Sequence, residues 1–256
     1  MNKVLFQFRN ILQETIKGSS IEPLAKSLFD LINPPKSPDI INRQDNIRII
    51  KILSQILTKQ SNCIDVGCNT GDFLSHILKS SPLGYHYAFE PIPRLATRLR
   101  KRFPNTDIRE IALSDSEGET TFWYVISCPA LSSLKKESWN SYRSNQLTEP
   151  ITVKTQRLDD ILQANFKVDF MKVDAEAAEL EIFRGAIQTI KAHKPYIIFE
   201  HGQGDSEGNH DERIYNLLVN ECNLKIFELE PWLDGLAPLS QNSFCKSSSW
   251  NFLATP

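Results

Sequence analysis

The sequence predicts an α/β domain with a mostly parallel sheet, helices on both faces and an antiparallel strand at its C-terminal end. Three observations predict it. From residue 61 onward, short apolar runs alternate with amphipathic helical stretches, the pattern of parallel strands joined by crossover helices. The first run, Cys63-Ile64-Asp65-Val66, ends in a glycine-rich turn that opens a helix. The last two runs, Leu224–Glu230 and Trp250–Thr255, are joined by a loop with no helical pattern, which predicts an antiparallel hairpin.

Each element has its own justification. Residues 1–33 read as two short amphipathic helices. The second, near Ile21–Ile32, puts Leu24, Leu28, Leu31 and Ile32 on one face before Asn33-Pro34-Pro35 stops it. A third helix is predicted at Arg43–Thr58, where Ile49, Ile52, Leu53, Ile56 and Leu57 form a helical stripe. These make a helical extension over residues 1–60, ahead of a domain at residues 61–256. Strands follow at Ser61–Gly67, Tyr85–Glu90, Asp107–Ala112, Val168–Asp174 and Tyr196–Glu200. Helices are predicted at Phe73–Lys79, Leu95–Phe103, Ala178–Ala192 and Glu212–Glu221. Between the third and fourth strands lies an excursion over residues 113–160. It holds two further strands, Thr120–Ile126 and Ile151–Gln156, and a polar stretch with Trp139 and Tyr142 that reads as a lid or substrate-facing loop.

Composition narrows the function classes. Of 256 residues, 29 are Lys or Arg and 31 are Asp or Glu, a net charge of −2, so no basic excess exists to neutralise nucleic-acid phosphates. Hydrophobic residues at 41% and charged residues at 23% exclude a disordered chain. The five cysteines have irregular spacing and no C-x-x-C pair, which argues for free thiols in a reducing compartment. Gln7, Arg9 and Asn10 interrupt the apolar N-terminus too early for a signal-peptide core. No stretch approaches the roughly 20 apolar residues that span a bilayer. A soluble, cytoplasmic protein without nucleic-acid or membrane partners is the expectation.

The turn Ile64-Asp65-Val66-Gly67-Cys68-Asn69-Thr70-Gly71 carries the most information. Gly67 would let backbone approach a ligand, and the helix after Gly71 offers free N–H groups. That suits a nucleoside-containing cofactor at the carboxyl end of a strand. The dinucleotide fingerprint needs a third glycine, and position 74 is Leu74. Asp65 would repel a pyrophosphate but suits the ammonium of an amino-acid moiety. Together these favour S-adenosylmethionine. Glu90 closes the second strand 19 residues after Gly71, where an acid can accept hydrogen bonds from both ribose hydroxyls.

With these residues in view, the sequence resembles the FkbM-type family of S-adenosylmethionine-dependent methyltransferases. The matching pieces occur in order: Ile64–Gly71, Phe89-Glu90-Pro91, Ala112-Leu113-Ser114-Asp115, Ser132-Ser133-Leu134, Arg157-Leu158-Asp159-Asp160, Met171–Glu176, Glu179 with Gly185, and Asn251–Pro256. The resemblance implies a Rossmann-like seven-stranded sheet with one antiparallel strand. It implies methylation of a hydroxyl on a small molecule or glycan. It also adds Ala112 and Leu113 to the cofactor-binding residues. One departure stands out: the family's K-x-D-x-E-G-x-E is Lys172-Val173-Asp174-Ala175-Glu176-Ala177-Ala178-Glu179 here, with alanine in place of glycine.

Methyl transfer from a sulfonium is an in-line displacement, and an alcohol reacts only as its proton is removed. The candidates lie at the carboxyl ends of the fourth and fifth strands. His201 is the expected base, and Asp174 and Glu200 are expected to assist it. Against these stand helix capping for Asp174 and a structural histidine for His201. Glu176 and Glu179 sit in a first helical turn, where the macrodipole already favours acids. Asp174, Glu200 and His201 could converge on a divalent ion, yet no metal-type spacing marks them and no metal is expected. Two other classes fit less well: a nicotinamide-dependent oxidoreductase and a non-catalytic protein that keeps the cofactor fold.

Overall fold

The computed structural model describes residues 38–126, 132–134, 148–163, 165–201 and 209–256. The helices expected within residues 1–33 lie outside the described residues. So do Cys128, Gly202 and most of the lid, including Trp139 and Tyr142. The chain divides into two compact units, Met1–Gln44 and Asp45–Pro256, and the sheets and the site described below belong to the second.

After helix α1 (Pro38–Ile56), the chain builds a seven-stranded sheet. Its strands are β1 (Cys63–Val66), β2 (His86–Phe89), β3 (Asp107–Arg109), β7 (Phe170–Val173), β8 (Tyr196–Glu200), β9 (Lys225–Glu228) and β10 (Asn251–Thr255). The order across the sheet is β3-β2-β1-β7-β8-β10-β9. The pairs from β3 to β8 are parallel, and β10 runs antiparallel to both neighbours. The chain winds outward from β1 to β3, then returns to β7 on the other side of β1. That reversal opens a crevice at the carboxyl ends of β1 and β7, where open α/β sheets bind ligands.

Strand alternation sends successive side chains to opposite faces. Ile64, Val66, Met171, Val173, Ile197 and Phe199 share a core with helices α5 (Glu179–Gly185), α6 (Ile187–His193) and α7 (His210–Tyr215). On the other face, Cys63, Phe170, Ile198 and Leu253 pack against Ile49, Ile52 and Leu53 of α1 and Ile77 of α2 (Asp72–Ser80). Helix α3 (Pro93–Arg102) covers Ala88 and Ile108 with Ala96 and Leu99.

The predicted third strand, Asp107–Ala112, is two strands in two sheets. β3 ends where Glu90 N donates to Arg109 O at 3.0 Å. After buried Ile111, β4 (Ala112–Leu113) pairs instead with β6 (Thr148–Gln156). Strand β5 (Gly118–Val125) is antiparallel to β6 and completes a three-stranded sheet. The predicted excursion strands are therefore a paired hairpin in a layer of their own.

The single helix predicted over Ala178–Ala192 is broken at Gly185-Ala186 into α5 and α6. A Cβ on Gly185 would stand 2.0 Å from Ser114 O, so the chain passes there without a side chain. Asp159, in the short helix α4 (Leu158–Ile161), caps the second piece. Its carboxylate accepts from Gln188 N at 3.0 Å, Thr189 N at 2.9 Å and Thr189 Oγ1 at 2.8 Å. A tertiary partner thus satisfies donors that an unbroken helix would satisfy itself. Further on, α7 passes into a π-helical turn, Asn216–Glu221. The loop predicted between the last two strands contains two short helices, α8 (Leu229–Leu233) and α9 (Gln241–Phe244).

Candidate active site

The crevice is organised by a buried lysine. Lys172 lies opposite Asp65 in the β1–β7 register. Its Nζ donates to Asp174 Oδ2 at 2.8 Å and stands 3.9 Å from Asp65 Oδ1. Burial opposes the ammonium's charge, but Asp174, then Asp65 and Glu200, outweigh it and hold the lysine protonated. Asp65 is fully buried, and neither of its oxygens has a hydrogen-bond partner. Desolvation raises its pKa to about 6, with Lys172 pulling the other way.

The turn after β1 is held in the left-handed region at Gly67 (φ 73°), Asn69 (φ 46°) and Gly71 (φ 81°). Gly67 was expected to make room for a ligand. The structure gives its missing side chain to packing: a Cβ there would stand 1.9 Å from Asp174 O, so the glycine seats β1 against β7. A Cβ on Gly71 would meet Phe103 and Leu99 of the α3 region at 2.5 and 2.7 Å.

Glu90 reaches this turn from the end of β2. Its Oε2 accepts from Asn69 N at 2.8 Å and its Oε1 from Ile92 N at 2.9 Å. Each oxygen keeps a second lone-pair site. Burial lifts the pKa to about 7, against the two backbone hydrogen bonds that lower it. Ala112 and Leu113 sit one element further on, in hydrophobic packing. Ala112 touches the cluster of Ile92, Leu95, Phe122 and Val153, and Leu113 enters the main core.

The loop after β7 is strained. Glu176 (φ 50°) and Ala177 (φ 77°) both adopt the left-handed region that glycine favours. Two side chains, Ser133 and Glu179, hold this loop with three hydrogen bonds. Ser133 Oγ donates to Glu176 O at 2.5 Å, and Glu179 Oε1 accepts from Ala175 N at 3.2 Å and Ala177 N at 3.3 Å. Glu179 is buried, and desolvation raises its pKa to about 8.

The three predicted catalytic residues do not form one cluster. Asp174 faces Lys172, and Glu200 feels Asp174, Glu176 and Lys172. Burial first, and those carboxylates second, hold the Glu200 carboxyl well above its usual range. His201 turns to the opposite face, as the next residue along a strand must. Its ring stacks 5.7 Å from Phe244 and 5.5 Å from His210, and Nε2 lies 2.6 Å from Asp211 Oδ1. The groups that converge around it are therefore Glu179 and His210, not Asp174 and Glu200.

With this geometry in place, the family can be tested directly. The sequence model described as the methyltransferase FkbM domain matches residues 65–226, more than half of the chain. The chain belongs to the FkbM methyltransferase family. Its relatives include the 2-O-methyltransferase NoeI of Sinorhizobium fredii, 27% identical over 189 residues, 67% of this chain and 73% of NoeI. The methyltransferase sdnD of Sordaria araneosa is 25% identical over 152 residues, 48% of this chain and 59% of sdnD. The crystal structure of methyltransferase FkbM from Methylobacillus flagellatus KT superposes with a TM-score of 0.50 at 13% identity. That match covers 78% of this chain and 44% of the other, so this chain spans less than half of that protein, and the fold is what the two share. Family membership sets aside the oxidoreductase reading. In this FkbM-family chain the match opens on the buried carboxylate Asp65 and closes inside β9.

Sequence reasoning quoted Lys172 within a motif without giving it a role, and passed over Asp211 and His210. Lys172 had a signal: a lysine inside the apolar strand Phe170-Met171-Lys172-Val173 requires a buried counter-charge. Asp211 and His210 follow a segment with no periodic pattern, and nothing local marked them.

Two predictions follow from the strained loop and the buried acids. Ala177→Gly relieves about 1–2 kcal/mol of left-handed strain and loses part of that to unfolded-chain entropy, a net gain of about 0.5–1 kcal/mol. A higher urea midpoint at unchanged slope is the expected readout. For pH, the folded pKa values of Asp65, Glu90 and Glu179 are about 6, 7 and 8, all above their unfolded values. Their stabilisation is complete below the unfolded values near pH 4 and is lost as pH rises through the folded ones. Thermal melts of the ligand-free protein should therefore shift down between about pH 5 and pH 8.5; a flat or rising series would contradict the raised values.

Proposed function

We propose that this methyltransferase uses S-adenosylmethionine and methylates a hydroxyl of a small molecule or glycan. The observation that carries the reading is the pairing of Glu90 with Asp65 across the turn after β1. Glu90 is anchored by two backbone N–H groups and can still accept from a diol. Asp65 offers two buried oxygens without hydrogen bonds, which fits an ammonium met directly or through a water. Gly67, Asn69 and Gly71 shape the turn between them, and Ala112 and Leu113 are assigned to the apolar side of the cofactor. When bound, the cofactor supplies a methyl group on a sulfonium. The printed name of NoeI, a 2-O-methyltransferase, supports oxygen as the acceptor atom.

The remaining residues divide by face. Lys172 fixes the Asp174 carboxylate, which is then placed to orient an acceptor hydroxyl. Burial, and then the neighbouring carboxylates, hold the Glu200 carboxyl well above its usual range, which suits it to donate a hydrogen bond when it carries its proton. Loss of the acceptor's proton is assigned to the His201 side, where Asp211 fixes the imidazole's orientation. A net charge of −2 favours a small or carbohydrate acceptor over nucleic acid. No helix among the described residues is long and apolar enough to cross a membrane, in keeping with a proposed cytoplasmic site of action.

Calorimetry tests the cofactor assignment. The wild type should bind S-adenosylmethionine and its demethylated product saturably, and Glu90→Gln should weaken both by about ten- to a hundredfold, the range of one hydrogen bond to a charged group. Unchanged affinity would remove Glu90 from the ribose. His201→Ala should lose about 10²- to 10⁴-fold in turnover with cofactor affinity retained; full turnover would remove His201 from the reaction.

A further inference from the structure

We infer that Glu179, His201 and His210 form a binding site for one divalent transition-metal ion of the zinc class. The three come from the start of α5, the end of β8 and the start of α7, so no sequence spacing announces them. Their potential ligand atoms all lie within 4.8 Å of one another, and the residues are 2%, 7% and 6% exposed. Two imidazoles and a carboxyl gathered in a core beside Phe244 are costly to desolvate. The donor set is two nitrogens and one oxygen, which suits zinc and its borderline neighbours.

The surroundings orient the donors. His201 Nε2 is engaged by Asp211 at 2.6 Å, which leaves Nδ1 for the ion. A carboxylate behind a metal-binding imidazole fixes its tautomer and strengthens its donation. Glu179 Oε1 is held by the Ala175 and Ala177 amides, which leaves Oε2 for the ion. Bonds of about 2.0–2.1 Å draw the donors closer than they stand now, a movement within reach of side-chain rotation. Three protein ligands leave a coordination position open, as catalytic rather than structural zinc sites do.

The site lies on the His201 side of the proposed reaction, and its role there rests on the methyltransferase reading. With the ion present, His201 would be a ligand, and the ion would acidify an acceptor hydroxyl that reached the open position, its proton passing to a base of the solution that enters with the acceptor. The new C–O bond then forms as the sulfonium's C–S bond breaks, and the sulfur leaves neutral. Without the ion, the imidazole takes that proton itself.

The test needs neither cofactor nor acceptor, so its failure is separate from failure of the methyltransferase assignment. The full chain, free of any polyhistidine tag and stripped with chelator, is titrated with Co(II) and followed by visible d–d absorption. One equivalent should bind in a site of low coordination number and be displaced by Zn(II). Glu179→Gln and His210→Gln should each weaken binding by at least about a hundredfold, and Asp211→Asn by about ten- to a hundredfold. Wild-type protein that gives no saturable Co(II) spectrum overturns the inference, whatever the variants do. So does binding that survives intact in both ligand variants once circular dichroism shows them folded.

Discussion

The structure depends on a cation in a place where cations are expensive. Lys172 stands in the middle of a buried parallel strand, and its ammonium is tolerable only because Asp65 and Asp174 flank it. The reverse holds equally. Two carboxylates at the carboxyl ends of adjacent strands would repel each other and water would be drawn in to separate them. The lysine makes one compact unit of three charges and ties β1 to β7 at the level of the crevice. Gly67 lets that unit close, since any side chain there would press on the Asp174 carbonyl. Charge pairing and steric omission thus set the shape of the floor on which the turn, and Glu90 above it, are built.

Much of this was legible because it is local. Apolar runs ending in glycine marked the strands, and an acid at the end of β2 marked Glu90. What was misread depended on distant partners. A glycine with positive φ has the same signature whether it makes room for a ligand or for another strand, so the packing of Gly67 against Asp174 was not legible in the sequence. The split between β3 and β4 is invisible in Asp107–Ala112, because both halves are extended and only their partners differ. The break between α5 and α6 depends on Ser114 and Asp159, which approach from elsewhere in the chain. Glu200 closes β8 and His201 follows it directly, so their side chains diverge, Glu200 toward Asp174 and Lys172 and His201 toward Phe244 and His210.

That division organises the site. One face carries Asp65, Lys172, Asp174 and Glu200, with Lys172 as the cation among the carboxyl groups. The other carries Glu179, His201, His210 and Asp211, a group rich in nitrogen donors. The strained loop at Glu176 and Ala177 runs between them, and Glu179 braces it from below through two amides. The two polar clusters are joined by this segment, whose backbone is tied to Ser133 on one side and to Glu179 on the other.

The position of β10 has a further consequence for how this chain is made. β10 lies between β8 and β9, yet follows both in the sequence. Until it arrives, β9 has no neighbour and β8 presents a bare row of amides and carbonyls beside Ile197 and Phe199. An emerging polypeptide must therefore carry an open, apolar border from the completion of β8 at Glu200 until β10 is made at Asn251–Thr255. Such borders recruit other strands, including those of sister molecules. Loss of these few residues, by nonsense mutation or clipping, would leave a product prone to inclusion bodies rather than a shortened enzyme.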